Sequence, residues 1–368
     1  MYKEEHLYSI ALRQCNFIGD ITFNKLVRNF GSAKNVWETA KNELAKTHGV
    51  GKKIISDIGN SEHLMLAEKE INFCEKNQIK INLRHQKDLP FLLNECDDAP
   101  AILYQKGNFN PDLKCVSIVG TRNITSYGKK FIEDFFTETK QCKYQSVSGL
   151  ALGADKEVHE NSLKMEVPTV AVLAHGFQTL YPSKNKQLSE KILENGCLFT
   201  EFNSMRKPDR ENFIQRNRIV AGISSSTIVV ETAFGGGSIS TATFANQYNR
   251  DVFALPGKIT DKYSQGCNQL IFQNKASAIS TIKDLSESLG LCPNYLNMEE
   301  LFPQSTFSIP LTENQEEIYR VIADHPQITL DDLSGKILLA SHKILPVILE
   351  LELLGKIKSF SGRQFVAL

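Results

Sequence analysis

The chain has 368 residues, 41% of them hydrophobic, enough for two or three folded units. Lysine plus arginine and aspartate plus glutamate balance at 42 each, so no overall field draws the molecule to a polyanion or a membrane, and any anion site must be a local cluster. Eight scattered cysteines without a C-x-x-C pair, an opening with too short an apolar run for a signal peptide, and no segment long enough to span a bilayer predict a reduced, cytoplasmic protein without membrane contact.

From Leu7 to about Cys74 apolar residues recur at helical spacing, with Gly19, Gly31, Gly49, Gly51 and Gly59 between short helices. This pattern predicts a small helical domain over residues 1–84. Within it THGVGKKIISDI (47–58) resembles a helix-hairpin-helix motif, in which backbone N–H groups could meet a phosphate with help from Lys52 and Lys53. The same pattern also describes a helix-helix turn that only packs.

Residues 85–290 change character. The runs VSIVG (116–120), PTVAVLA (168–174), STIVVE (226–231) and DVFALPG (251–257) alternate with amphipathic helical stretches. Continuous apolar strands between helices imply a sheet covered on both faces, hence an α/β fold with a Rossmann-like, doubly wound, mostly parallel sheet. A proline-containing stretch over 291–311 reads as a linker, and 312–368 as three helices followed by a ribbon around Ser361 and Gly362, the pattern of a winged helix. Its third helix is rich in Leu, Ile and Val and poor in basic residues, so a structural or protein-binding role stands beside a DNA-reading one.

In an open α/β sheet ligands bind beyond the carboxyl ends of the strands. Those positions supply Gly120, Thr121 and Arg122; Gly149; Phe177, Tyr181, Lys184, Asn185 and Lys186; Phe213, Arg216, Asn217 and Arg218; Gly236, Gly237, Ser238 and Thr241; and Lys258. Glycines, hydroxyls and cations at successive strand ends can bind several phosphates through backbone N–H groups and arginine forks. Turn geometry and a salt-bridged surface are the plainer readings of the same glycines and arginines.

A dinucleotide cofactor is disfavoured, because the second glycine of G-x-G-x-x-G is Arg122 and fills the space a pyrophosphate needs; no cofactor is expected. The loop FGGGSISTATFANQ (234–247) resembles that of the lysine-decarboxylase-like (LOG) nucleotide phosphoribohydrolases but has no acidic residue to assist glycosidic cleavage, so an enzyme is not expected. Asp155 and His159, four residues apart, could pair as acid and base or as metal ligands. An N-cap aspartate beside a packed histidine is the favoured explanation, since no third ligand or nucleophile sits nearby in sequence, and no metal is expected.

Six blocks in order, VSIVGTRNITSYG, SVSGLALGADKEVHENSL, VAVLAHGFQTLYPSKNKQL, RNRIVAGIS, GGGSISTATFANQYNRDVFALPG and GCNQLI, resemble the DNA-processing protein A (DprA/Smf) family across about residues 115–273. The chain departs from the family pattern at Ala174, at NSMRKPDRENFIQ and at Ser183. The resemblance implies a non-catalytic homodimer that binds single-stranded DNA entering the cell in natural transformation, protects it and helps load the RecA recombinase. It also implies phosphate contacts from Arg122, Lys184, Lys186, Arg216, Arg218 and Lys258 and from the glycine loops. Phe177, Tyr181 and Phe213 are the aromatics that could stack on bases, with core packing as their alternative.

Overall fold

The computed structural model describes residues 4–291, 311–325, 328–360 and 364–367. The chain divides into two compact units, Met1–Pro293 and Asn294–Leu368.

The first unit is built on nine strands: β1 (Ile79–Leu83), β2 (Ile102–Gly107), β3 (Lys114–Val119), β4 (Tyr144–Ser148), β5 (Thr169–Val172), β6 (Gly196–Thr200), β7 (Ser226–Val229), β8 (Asp251–Ala254) and β9 (Ser277–Ala278). They form one sheet in the order β1-β2-β6-β5-β4-β3-β7-β8-β9. Strands β3 to β9 are parallel, and β2 and β1 continue the β6 edge antiparallel. This is the mostly parallel α/β sheet that the apolar runs imply.

Strand alternation explains why both faces are covered. In β3, Val116 and Ile118 pack with Phe131, Phe135 and Phe136 of helix Ser126–Thr139. Cys115 and Val119 pack on the opposite face with Ile219, Val220 and Ile223 of helix Arg210–Ile223. Ser117, buried on that same face, donates its hydroxyl to the Val220 carbonyl at 2.7 Å, so its polarity is satisfied. Period-two side chains with a helix layer on each side leave no face of the central strands to water.

The sheet begins ahead of the boundary expected after residue 84. Strand β1 pairs with β2 from Ile79↔Lys106 to Leu83↔Ile102. The N-terminal helices pack Ile10, Leu12, Phe23 and Leu26 in one cluster with Ile79, Ile81, Leu83, Ile102 and Tyr104 of those strands. The physical reason is that β1 and β2 present apolar side chains that the N-terminal helices cover. Segment 1–84 therefore belongs to the compact unit that carries the sheet.

In the second unit, helices Glu313–Asp324, Leu330–Ile337 and Ser341–Leu353 enclose Ile318, Ile322, Leu333, Ile344 and Leu351. A reciprocal capping box between Thr312 and Gln315 starts the first of them. Strands β10 (Ile328–Thr329), β11 (Ile357–Phe360) and β12 (Gln364–Ala367) form a small antiparallel sheet in the order β10-β12-β11. The turn expected at Ser361 and Gly362 and nearly all of the expected linker, 292–310, lie outside the described residues. Among the described residues no helix is long and apolar enough to cross a membrane.

Candidate functional site

Strands β3 and β7 lie side by side, with Val119 opposite Val229. The sheet grows in one direction from β3 through β4, β5 and β6, and in the other from β7 through β8 and β9. A crevice opens where the winding reverses, beyond the strand carboxyl ends. It has a volume of about 320 Å³, and Thr121, Arg122, Gly149, Phe213, Asn217 and Gly237 are among its lining residues.

The loop after β3 is pinned by backbone. Thr121 donates its N–H to the Glu231 carbonyl at 2.6 Å, and its own carbonyl accepts from Ala154 N at 3.0 Å. Gly153 has φ +79°, and a Cβ there would sit 2.4 Å from the Arg122 carbonyl, so this close approach requires glycine. The buried Glu231 carboxylate accepts from Thr125 N at 2.8 Å and from Thr125 Oγ1 at 2.6 Å. With its backbone fixed, Arg122 is left exposed, its guanidinium stacked 5.0 Å from the Phe213 ring centroid. Tyr181 meets the same ring in a T-shaped contact at 5.9 Å. His175 Nε2 accepts the Tyr181 N–H at 3.1 Å and fixes that loop.

Arg216 and Asn217 come from helix Arg210–Ile223, capped by Asp209. Arg216 is buried and donates to the carbonyls of Gly149, at 2.6 Å, and of Val172. Burial pulls its pKa down to about 10 while Asp155 raises it, so it stays a cation at neutral pH. Asp155 is itself pushed up by burial and drawn down by Arg216. Arg216 and Asp155, electrostatically coupled, thus underlie the crevice floor, and a Cβ on Gly149 would meet the guanidinium at 2.4 Å. Asn217 Nδ2 donates to Gly237 O at 3.3 Å and to Ser240 Oγ at 2.9 Å, tying down the first turn of helix Gly237–Gln247. That eleven-residue helix begins at the crevice, with Gly236, Gly237, Ser238 and Thr241 on its lining and the buried Ser238 Oγ without a hydrogen-bond partner. Its N-terminal amides and dipole favour an anion.

The structure therefore brings Gly120, Thr121, Arg122, Gly149, Phe213, Arg216, Asn217, Gly236, Gly237, Ser238 and Thr241 to one crevice. Other residues expected to contact a phosphate or a base have different surroundings. Arg218 is buried and its NH2 reaches Asp20 at 3.1 Å and Glu201 at 2.5 Å. Burial alone would lower its pKa, but those two carboxylates raise it, so its charge is spent inside the protein. Asn185 is buried and donates to Leu150 O at 2.9 Å. Phe177 is half-buried against the N-terminal helical cluster and that of Leu150. Lys184 lines a separate groove with Lys156 and Lys191, and Lys186 and Lys258 are exposed.

Asp155 and His159 have separate partners. Asp155 accepts from Ala151 N at 3.2 Å, whereas His159 Nδ1 lies 2.7 Å from Thr169 Oγ1. Burial, with Arg216 adding repulsion, lowers the His159 pKa from 6.5 to about 3, so the ring is neutral. The unfolded chain then binds a proton first, and stability that is full above about pH 6.5 is lost as pH falls toward 3. His159→Asn is expected to remove up to about 3 kcal/mol of the stability lost between pH 7 and pH 4, measured as a flatter dependence of the urea midpoint on pH.

Sequence reading missed Glu231 and the electrostatic coupling of Asp155 to Arg216. The signal for Glu231 was an acid closing the otherwise apolar STIVVE, where a parallel strand enters the interior.

The family model described as DNA recombination-mediator protein A matches residues 80–290, the span of the sheet. Protein Smf of Synechocystis is 30% identical over 401 aligned positions, covering 99% of this chain and 99% of that protein. DNA processing protein DprA of Bacillus subtilis is 39% identical over 205 residues, covering 55% of this chain and 69% of that protein. Among solved structures, DNA processing protein A from Streptococcus pneumoniae superposes with a TM-score of 0.63 at 27% identity, covering 78% of this chain and 98% of the other. DNA processing protein A from Helicobacter pylori, a structure described for its single-stranded DNA binding mode, gives a TM-score of 0.53 at 27% identity, covering 58% and 95%. A family model matched over more than half of the chain, and a relative 30% identical along 99% of both chains, lead to one assignment: the chain belongs to the DNA-processing protein A (DprA/Smf) family.

Proposed function

We propose that this protein is a non-catalytic, single-stranded DNA-binding recombination mediator whose switch-point crevice grips the phosphate backbone. The observation that carries this reading is the exposed Arg122, stacked on Phe213 and facing a helix N-terminus across a crevice whose own counter-charges are buried. That arrangement offers a fork and backbone amides to a phosphate without a base code, as sequence-tolerant binding requires. Tyr181, 46% exposed beside the crevice, is the aromatic free to stack on a base, for about 1–3 kcal/mol. Lys184, Lys186 and Lys258, all exposed, would supply further phosphate contacts outside the crevice.

By family membership the role includes protection of incoming strands in natural transformation, RecA loading, action as a homodimer and a cytoplasmic setting. The N-terminal hairpin around Gly49 and Gly51 is read as a helix-hairpin-helix, and the C-terminal three-helix unit as a winged helix. A nucleotide-cleaving activity lacks support at the crevice, where Asp155 is buried against Arg216.

Binding of a fluorescent oligothymidylate, followed by anisotropy across salt concentrations, tests the proposal. Contacts to two or three phosphates predict a slope of log K on log salt of roughly −1.4 to −2.1. Salt-insensitive binding, or a preference for duplex in competition, would overturn it. Release of free adenine from adenosine monophosphate would point to an enzyme instead.

A further inference from the structure

We propose that Cys15, Asp57 and His63 form a zinc site within the N-terminal helices, with thiolate, carboxylate and imidazole converging on one ion and a fourth position left to water. The residues come from three segments: Cys15 follows helix Glu4–Gln14, Asp57 caps helix Lys52–Ser56, and His63 lies in the first turn of helix Ser61–Lys76. Their ligand atoms all lie within 4.8 Å of one another. Ligands of a tetrahedral zinc with bonds of about 2.0–2.3 Å stand roughly 3.3–3.8 Å apart, so closure needs side-chain adjustment of about 1 Å.

Two independent features point to a ligand. The first is His63, buried, with neither ring nitrogen hydrogen-bonded. Its Nε2 is 3.1 Å from Asp57 Oδ1, yet the pair lacks hydrogen-bond alignment. The second is Asn16. Its backbone N–H and its Nδ2 donate to Asp57 Oδ2 at 2.7 and 2.9 Å, which orients the carboxylate and leaves Oδ1 for a metal. Outer hydrogen bonds of this kind are the usual support of a metal-binding carboxylate.

The charge balances in a low-dielectric setting. As the S–Zn bond forms, the Cys15 thiol proton leaves to solvent; one thiolate and one carboxylate then neutralise the divalent ion, with a neutral imidazole as third donor. The half-buried Asp57 side gives the ion its entry. The bound ion would staple three helices of the cluster that covers β1 and β2.

The full-length chain, freed of metal with a chelator, is titrated with Zn²⁺ calorimetrically and with Co²⁺ as the spectroscopic probe. The expected result is one tight equivalent per chain, a thiolate-to-cobalt charge-transfer band and a raised melting temperature. Cys15→Ser and His63→Gln should abolish the tight equivalent and Cys142→Ser should leave it unchanged. Asn16→Ala, at an exposed residue that a folded variant should tolerate, is expected to weaken affinity by about 10–100-fold. Absence of a tight equivalent in the unmodified protein, a cobalt complex without the thiolate band, or unchanged affinity in Asn16→Ala would each overturn the site in favour of an Asp57–His63 ion pair beside a packed thiol.

Discussion

Arg122→Ala is expected to lower affinity for single-stranded oligonucleotides by about ten- to a hundred-fold, the equivalent of a lost charge-assisted hydrogen bond of roughly 1.5–3 kcal/mol. The salt slope should fall by about 0.7, the signature of one phosphate contact removed. Stability should change little, because the loop is held by the backbone bonds of Thr121 and by the Glu231–Thr125 contacts, and the Arg122 side chain is exposed. Arg122→Lys should recover only part of the loss, since an ammonium neither forks onto a phosphate nor lies flat on Phe213 as a guanidinium does. Anisotropy titrations at several salt concentrations, with urea melts as the stability control, read both effects. Unchanged affinity and slope would place the phosphate contact elsewhere on the rim.

Arg218→Ala should behave in the opposite way. Removing the guanidinium leaves Glu201, 2% exposed, and Asp20, 13% exposed, without their shared partner. Breaking such a pair costs about 3–5 kcal/mol, because the residual charge stays buried. The urea midpoint should drop accordingly while affinity per folded molecule stays close to that of the parent. A double variant, Arg218→Met with Glu201→Gln, should recover part of the loss by removing the stranded charge together with its partner. An Arg218→Ala protein with full stability and weakened DNA binding would contradict the burial of this side chain.

These two arginines show where sequence reading reached and where it stopped. Arg122 stands at a strand end, whereas Arg218 stands with Arg216 in the R-N-R triplet near the middle of helix Arg210–Ile223. Pattern could identify Arg122 because the position itself is informative: the residue after a central parallel strand points at the ligand edge of the sheet. No such rule separates Arg216 from Arg218. Two residues apart on a helix they differ by about 200° in direction, so one reaches the crevice floor and the other the ion pair with Asp20. Asp20 is 198 positions distant in the chain, and no local pattern reports such a pairing. Phe177, for which core packing stood beside base stacking, likewise meets partners from the remote N-terminal helices.

By itself the sequence determined the α/β class, the parallel sheet and the loops that face its carboxyl edge, because these follow from local periodicity and from the steric demands of strand-to-helix turns. Only the tertiary structure decided that β1 and β2 bind the N-terminal helices into the unit of the sheet. It alone decided which cations are exposed and which are neutralised, and that Cys15, Asp57 and His63 meet. Those outcomes depend on desolvation and on contacts between residues far apart in the chain, where charge and burial are set by neighbours that no single stretch contains.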